Sequence, residues 1–221
     1  EWREHDGRHW GELTWAQALP PASAPNPVTY DYTGRVRALS VFAQEAYSVS
    51  PEIKATASLQ LRNIRQGIHK DRFNGYDFDL DHTFLNPRVG LNWNASERWH
   101  LFANYAHTET EPILSEIYRA DDPTAVPLFG VVDVANHVYE DPLIDPERLN
   151  DYEMGVGYRS GHTYVKLSGF RLDFRNEIVP SGQIDRYGVP ITGNAARSEH
   201  QGIEFEGSWS HPSGIEISGN A

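Results

Sequence analysis

His5 and His9 stand four residues apart, with Glu4 and Asp6 beside them. On a helix this spacing sets two imidazoles on one face, a paired nitrogen donor for a transition metal. The plainer account is two solvent-exposed histidines in a stretch, Glu1 to Pro27, that turns proline-rich as a surface loop would. Asp77-Phe78-Asp79-Leu80-Asp81 opens like a calcium loop, but His82 replaces the glycine and Arg88 stands where the bidentate glutamate belongs. At period two its three acids share one strand face, a wet extension rather than an ion site. Gly155-Val156-Gly157-Tyr158-Arg159-Ser160-Gly161 comes near a dinucleotide fingerprint. Its last glycine is one place late, and it lies on an alternating strand rather than a strand-to-helix turn. No Gly-x-Ser-x-Gly elbow occurs. With no cysteine there is no thiolate nucleophile, disulfide framework or Cys-ligated zinc. Asn94-Ala95-Ser96 is formally a glycosylation sequon, but it occupies a predicted tight turn. Neither a catalytic residue nor a cofactor is expected.

The elements that would carry such residues come from composition and period. The chain has 221 residues, a net charge of −12, 39% hydrophobic residues and 12% aromatics, too apolar for a disordered segment. Its acid excess argues against a nucleic-acid partner, which needs a basic stripe. No apolar run is long enough for a helical membrane span. The mean hydropathy of −0.57 fits a soluble protein, yet it cannot detect a transmembrane β-barrel, which gives only alternate residues to lipid.

Period two recurs along the chain. Ile53, Ala55, Ala57, Leu59 and Leu61 alternate with Lys54, Thr56, Ser58, Gln60 and Arg62. Val89, Leu91 and Trp93 repeat the pattern, as do Tyr152, Met154, Val156 and Tyr158, and then Ile203, Phe205 and Trp209. Looser alternation marks Leu39 to Val49, Trp99 to Ala106, Tyr164 to Phe174 and Ile215 to Ile217. About eight strands are expected, many near the 9–11 residues a tilted membrane strand needs.

Short connections at Ser50 to Glu52, Asn94 to Arg98, Ser160 to Gly161 and Ser210 to Gly214 carry turn residues. They alternate with long polar stretches at Gln66 to Tyr76, Glu109 to Arg148 and Asn176 to Ala196. Short turns at one end and long loops at the other are the habit of outer-membrane barrels. Aromatics near strand ends, among them Trp93, Trp99, Tyr105, Tyr158 and Trp209, would suit interfacial girdles. The Glu109 to Arg148 stretch holds ten acids against two arginines, a net of −8, so most of the charge sits in one connection. A solvated surface loop explains it; a mouth attractive to cationic ligands is the functional alternative.

With strands placed, a series of words becomes legible. Leu85-Asn86-Pro87-Arg88-Val89-Gly90-Leu91-Asn92-Trp93 precedes Glu97 to Ala106, then Glu111-Pro112 and Glu116-Ile117-Tyr118. Leu143 to Glu147 and Asn150 to Gly155 follow, and later Gly193-Asn194-Ala195 and His200 to Glu206. In this order the set resembles the barrel of TonB-dependent outer-membrane receptors, over about Leu39 to Ala221. The resemblance implies an all-β, antiparallel transmembrane β-barrel segment, an open arc of a barrel of about 22 strands. It further implies residues 1–34 as an extracellular loop region and 35–221 as a partial barrel, incomplete at both ends. No plug, TonB-contacting segment or signal peptide is read in these residues, so they are expected to be an internal piece, around a third of a receptor.

In such receptors the bacterial outer membrane is the setting. Outer-membrane lipid, the rest of the receptor with its plug domain, and TonB energised through ExbB and ExbD are the implied partners. The implied ligand is a small-molecule metal complex, a ferric siderophore for instance, or cobalamin. Loops bind ligand in this family, which singles out Arg72, Tyr76, Tyr118, Arg119, His137, Tyr139, Arg186 and Tyr187. His5 and His9 remain candidate metal contacts. Pro146, Glu147, Tyr152, Glu153 and Gly155 match the family's strongest motif and are expected to organise re-entry of the long loop into the barrel. A passive porin or small closed barrel, a soluble sandwich, and an outer-membrane enzyme are the alternatives.

Overall fold

The alternating segments are strands. The computed structural model describes residues 1–14, 26–122, 125–133, 138–184, 188 and 190–221. Strands β1 (Trp2–Glu12), β2 (Val28–Ser48), β3 (Ile53–His69), β4 (Phe78–Asn94) and β5 (Trp99–Thr110) come first. A short helix α1 (Leu114–Ile117) and a hairpin of β6 (Phe129–Asp133) and β7 (Val138–Pro142) follow. The chain then continues through β8 (Glu147–Ser160), β9 (Thr163–Ile184), β10 (Pro190–Ser210) and β11 (Glu216–Asn220). Nine of these form one sheet in the order β1-β2-β3-β4-β5-β8-β9-β10-β11, and β6 with β7 forms a second. All its neighbours are antiparallel. Among the described residues β1 and β11 do not pair, so the sheet is an open arc and not a small closed barrel.

Tight connections at 49–52, 95–98, 161–162 and 211–215 share one end of the sheet; those at 13–27, 70–77, 111–146 and 185–189 share the other. Serine builds two of the tight turns. Ser50 Oγ accepts from the N–H groups of Glu52 and Ile53, each at 3.2 Å, and Ser96 Oγ does the same for Arg98 and Trp99.

Register assigns the faces. Leu61 lies opposite both Val41 and Leu85, Ala103 opposite both Leu91 and Met154, and Leu167 opposite both Val156 and Phe205. These apolar residues share the outer face and are open: Met154 is 67% exposed and Ile203 78%. A soluble sandwich would bury this surface, yet among the described residues no second sheet covers it. The inner face carries Gln60, Arg62, Gln66, Asn86, Asn104 and Glu204, and against its upper part lies the segment from Glu111 to Asp122. The core sits there, where Ile68, Tyr118 and Ala120 are buried, flanked by Tyr32, Tyr76 and Phe78.

Several expectations are corrected. The expected open arc of about eight strands is found with nine, and the correction concerns residues 1–34: Trp2–Glu12 is a strand paired with β2 from Leu39 to Val28 rather than part of a loop. Residues 28–34 likewise belong to β2. The polar stretch at Asn176 to Ala196 is mostly strand, leaving 185–189 as the connection, whereas of Gln66 to Tyr76 only Gln66 to His69 belong to β3 and the rest is the connection at 70–77. β2 and β9, at 21 and 22 residues, run far beyond a minimal membrane strand.

Candidate functional site

The segment that returns onto the inner face is anchored by side chains from the strands beneath. The Arg62 guanidinium on β3 grips the Glu111 carboxylate with two charge-assisted bonds of 2.6 and 2.7 Å. Gln66, two residues along the same face, donates to the Pro112 carbonyl at 2.7 Å. Asn86 on β4 accepts from the Glu109 N–H at 2.9 Å. Glu116 reaches back to the Ile113 N–H at 2.8 Å and closes the single turn of α1. Arg62, Gln66 and Asn86 face inward by the same alternation that sends Leu61 and Leu85 outward.

Tyr118 ends this segment and ties it to the β3–β4 connection. Its hydroxyl donates to Asp71 and accepts from Asn74 Nδ2 at 2.8 Å. Asp71 Oδ1 also receives the N–H groups of Phe73 and Asn74, at 3.2 and 3.1 Å. Tyr76 and Phe78 meet the Tyr118 ring edge-on at 5.1 and 6.4 Å. Burial and the bond to Asp71 raise the Tyr118 phenol above the ordinary tyrosine range. Tyr118 is therefore a largely buried anchor, 3% exposed, whose remaining surface borders a cavity beside α1.

Beside α1 a cavity of about 310 Å³ opens toward the start of β10, lined by Arg119, Asp122, Val126, Leu128, Ile191 and Thr192 among others. Of the loop candidates, Tyr118 and Arg119 both border this cavity, and Arg119 lies 3.4 Å from Asp121. Arg72 stands apart, over the Phe73 ring at 5.6 Å and 3.9 Å from Asp31. Asp31 also takes two bonds of 2.7 Å from Arg8, which hold its carboxyl below the usual carboxylate range. Tyr139 is on β7 opposite Val131. His137, Arg186 and Tyr187 lie outside the described residues. Among the described candidates, Tyr76 packs on Tyr118, and Tyr118 shares the cavity with Arg119.

His5 and His9 lie on strand β1 and not on a helix. Glu4 and Asp6 point to the opposite face, where they pair with Arg37 at 2.7 Å and Arg35 at 2.8 Å. The Asp79 and Asp81 pattern is also a strand feature: Asp79 binds Arg65 at 2.7 Å and Asp81 accepts from Asn63 at 2.8 Å.

The motif residues divide. Glu147 accepts the Ile178 N–H at 3.0 Å, joining the start of β8 to β9. Next to it and to Pro146, Asn194 binds both the N–H and the carbonyl of Asp145, at 2.7 and 3.0 Å, and donates to the Asn176 carbonyl at 2.7 Å. Asn176 occupies the left-handed region at φ 54°. The words around Gly193-Asn194-Ala195 hinted at this knot, but nothing local in sequence links it to Asp145. Tyr152 faces outward against Tyr105, ring centroids 5.2 Å apart, while Glu153 faces inward toward Asn104. At Gly155 an added Cβ would stand 2.5 Å from the Phe102 ring, so glycine lets that ring lie flat across the sheet.

One inward cluster has the composition of a hydrolytic site. The Ser198 hydroxyl and the His200 ring both bind Glu177, the latter at 3.2 Å. The carboxylate lies between them, so the serine is not set on the imidazole as a nucleophile on its base would be.

The family described as TonB dependent receptor-like, beta-barrel, matches residues 1–221. The chain belongs to the TonB-dependent receptor β-barrel family. Among solved structures, this receptor barrel resembles the ferric-catecholate import receptor Fiu from E. coli K12, with TM-score 0.62 and 14% identity over 99% of this chain and 34% of that one. It resembles the copper transporter OprC at TM-score 0.61 and 15% identity, covering 89% of this chain and 29% of that one. The Serratia marcescens hemophore receptor HasR, in complex with its hemophore and heme, gives TM-score 0.58 and 14% identity over 94% and 38%. At such identities the likeness is one of fold, and the chain spans about a third of the length of these receptors. No match is found among curated protein sequences.

Proposed function

We propose that this chain is part of the wall of an outer-membrane importer for a scarce, bulky nutrient, a metal complex such as a ferric siderophore, or cobalamin. Import would be energised through TonB, ExbB and ExbD, and the chain itself would break no covalent bond. The observation that carries the reading is the pairing of two unlike faces. One is an open apolar face fit for lipid; the other is mostly polar and has the 111–122 segment folded down upon it. In this reading the inner face lines a lumen and the long connections form an extracellular mouth. The cavity beside α1, with Glu116, Arg119 and Asp122 in its lining, lies within this mouth. The apolar hollow of about 620 Å³ among Leu91, Met154, Leu167 and Ile203 lies on the lipid side and is no ligand site.

The test is growth of a strain lacking the full gene, under iron limitation, on a panel of ferric siderophores and cobalamin. Loss of growth on one of them, restored by the gene and abolished without TonB, supports the reading. Uptake that persists without TonB would identify a passive pore instead.

A further inference from the structure

His5 and His9 are four residues apart on a strand, a span that ordinarily separates two side chains of one face by more than their reach. Here their ring centroids are 5.8 Å apart. Gly7 between them makes this possible. A methyl group placed on Gly7 would stand 3.0 Å from His5 Nε2 and 3.7 Å from His9 Nε2, so both nitrogens lean into the notch above that glycine. His9 is held from the other side by Tyr32, whose ring stacks on it at 5.1 Å with an interplanar angle of 12°. Tyr32 in turn packs on the buried cluster of Ile68 and Tyr118. The pair thus sits on the inner face, supported by the same cluster that anchors the folded-back segment. Glu4 and Asp6 are turned away and paired with arginine, so the donors on offer are two imidazoles without a carboxylate beside them.

We infer that His5 and His9 form a two-imidazole contact on the inner wall for a borderline transition metal that retains open coordination positions. Imidazole suits copper, nickel and zinc. A fully saturated chelate offers no vacancy, whereas a bare ion or a partly coordinated one does. Two protein donors leave the remaining positions to water or to a carrier, the arrangement of a passing contact rather than a closed structural site. The inference rests on the importer reading only for the direction in which metal arrives.

Equilibrium binding of Cu(II) to the full-length receptor in detergent micelles tests it. Three probes are compared: aqueous Cu(II), Cu(II)-iminodiacetate with open positions, and Cu(II)-EDTA without them. One equivalent of the first two is expected to bind, with nitrogen hyperfine structure in the electron paramagnetic resonance spectrum, and the third is not. His5→Ala and His9→Ala should each weaken binding at least tenfold. Gly7→Ala, which keeps both imidazoles but fills the notch, should weaken it several-fold. Heat-modifiable migration on gels shows that each variant is folded. Unchanged affinity in the His5→Ala/His9→Ala double variant overturns the inference, as does equal binding of Cu(II)-EDTA. Because binding is read without transport, its failure leaves the growth test untouched, and a failed growth test leaves it intact.

Discussion

Arg62 and Glu111, 49 residues apart, are joined by two bonds that lay the longest described connection against the inside of the sheet. Glu111 is 8% exposed at its side chain and Arg62 26%, so solvent screens the pair less than a surface bridge. Glu111→Gln leaves the guanidinium short of its partner and is expected to cost about 1–3 kcal/mol of local stability. Hydrogen exchange should rise in 109–118 while the strands beneath stay protected. Unchanged exchange there would mean that Gln66 and Asn86 suffice as anchors.

Arginine placed on the two faces should have unequal effects. Met154→Arg on the outer face is expected to cost about 2–4 kcal/mol for the receptor folded into lipid vesicles, the range for a basic residue near the bilayer middle. Glu204→Arg on the inner face should stay within about 0.5 kcal/mol. Urea unfolding in vesicles measures both, and equal costs would refute the assignment of faces.

Tyr118 gives the folded-back segment an alkaline limit. Its phenol is raised in the folded state, so its contribution is complete below the unfolded value, about 10. The contribution is lost as pH climbs from there through the higher folded value. Absorbance at 295 nm should show one tyrosine resisting ionisation beyond the others, and Tyr118→Phe should remove that late phase. A titration unaltered by Tyr118→Phe would contradict the bond to Asp71.

Asn176 tests the knot at the base of the long connection. Its positive φ costs a β-carbon-bearing residue about 1–2 kcal/mol, which asparagine offsets by local hydrogen bonding. Asn176→Ala should lower stability by about 1 kcal/mol, and Asn176→Gly should be close to neutral. The same urea titration distinguishes them; equal losses would point to the side chain and not the backbone.

How much of this was legible depended on where a strand stands relative to the apolar band. Ile53 to Arg62 alternate cleanly because one face is apolar and the other polar, and their strand is plain from sequence. Above Leu61 the outer face turns polar at Asn63 and Arg65 while the inner face mixes Gln66 with the buried Ile64 and Ile68, so Asn63 to His69 lose the earlier period while the hydrogen-bond ladder continues to His69. The same physics hid the upper parts of β2, β9 and β10. The spacing of His5 and His9 was visible, but it fits a helix as well as a strand bridged over glycine. Contacts such as Asn194 with Asp145 and Tyr118 with Asp71 join residues more than 40 positions apart, and no local pattern encodes them.

The length of β2 has a consequence for the proposed importer. Twenty-one residues at about 3.3 Å each extend nearly 70 Å along the strand, roughly double what a tilted strand spends inside hydrocarbon. With the sheet set in an outer membrane as proposed, the surplus would stand as a palisade above the lipid surface, stiffened by arginine–carboxylate rungs such as Arg35 with Asp6 and Arg65 with Asp79. A diffusing molecule would then reach a rigid rim well before the plane of the membrane.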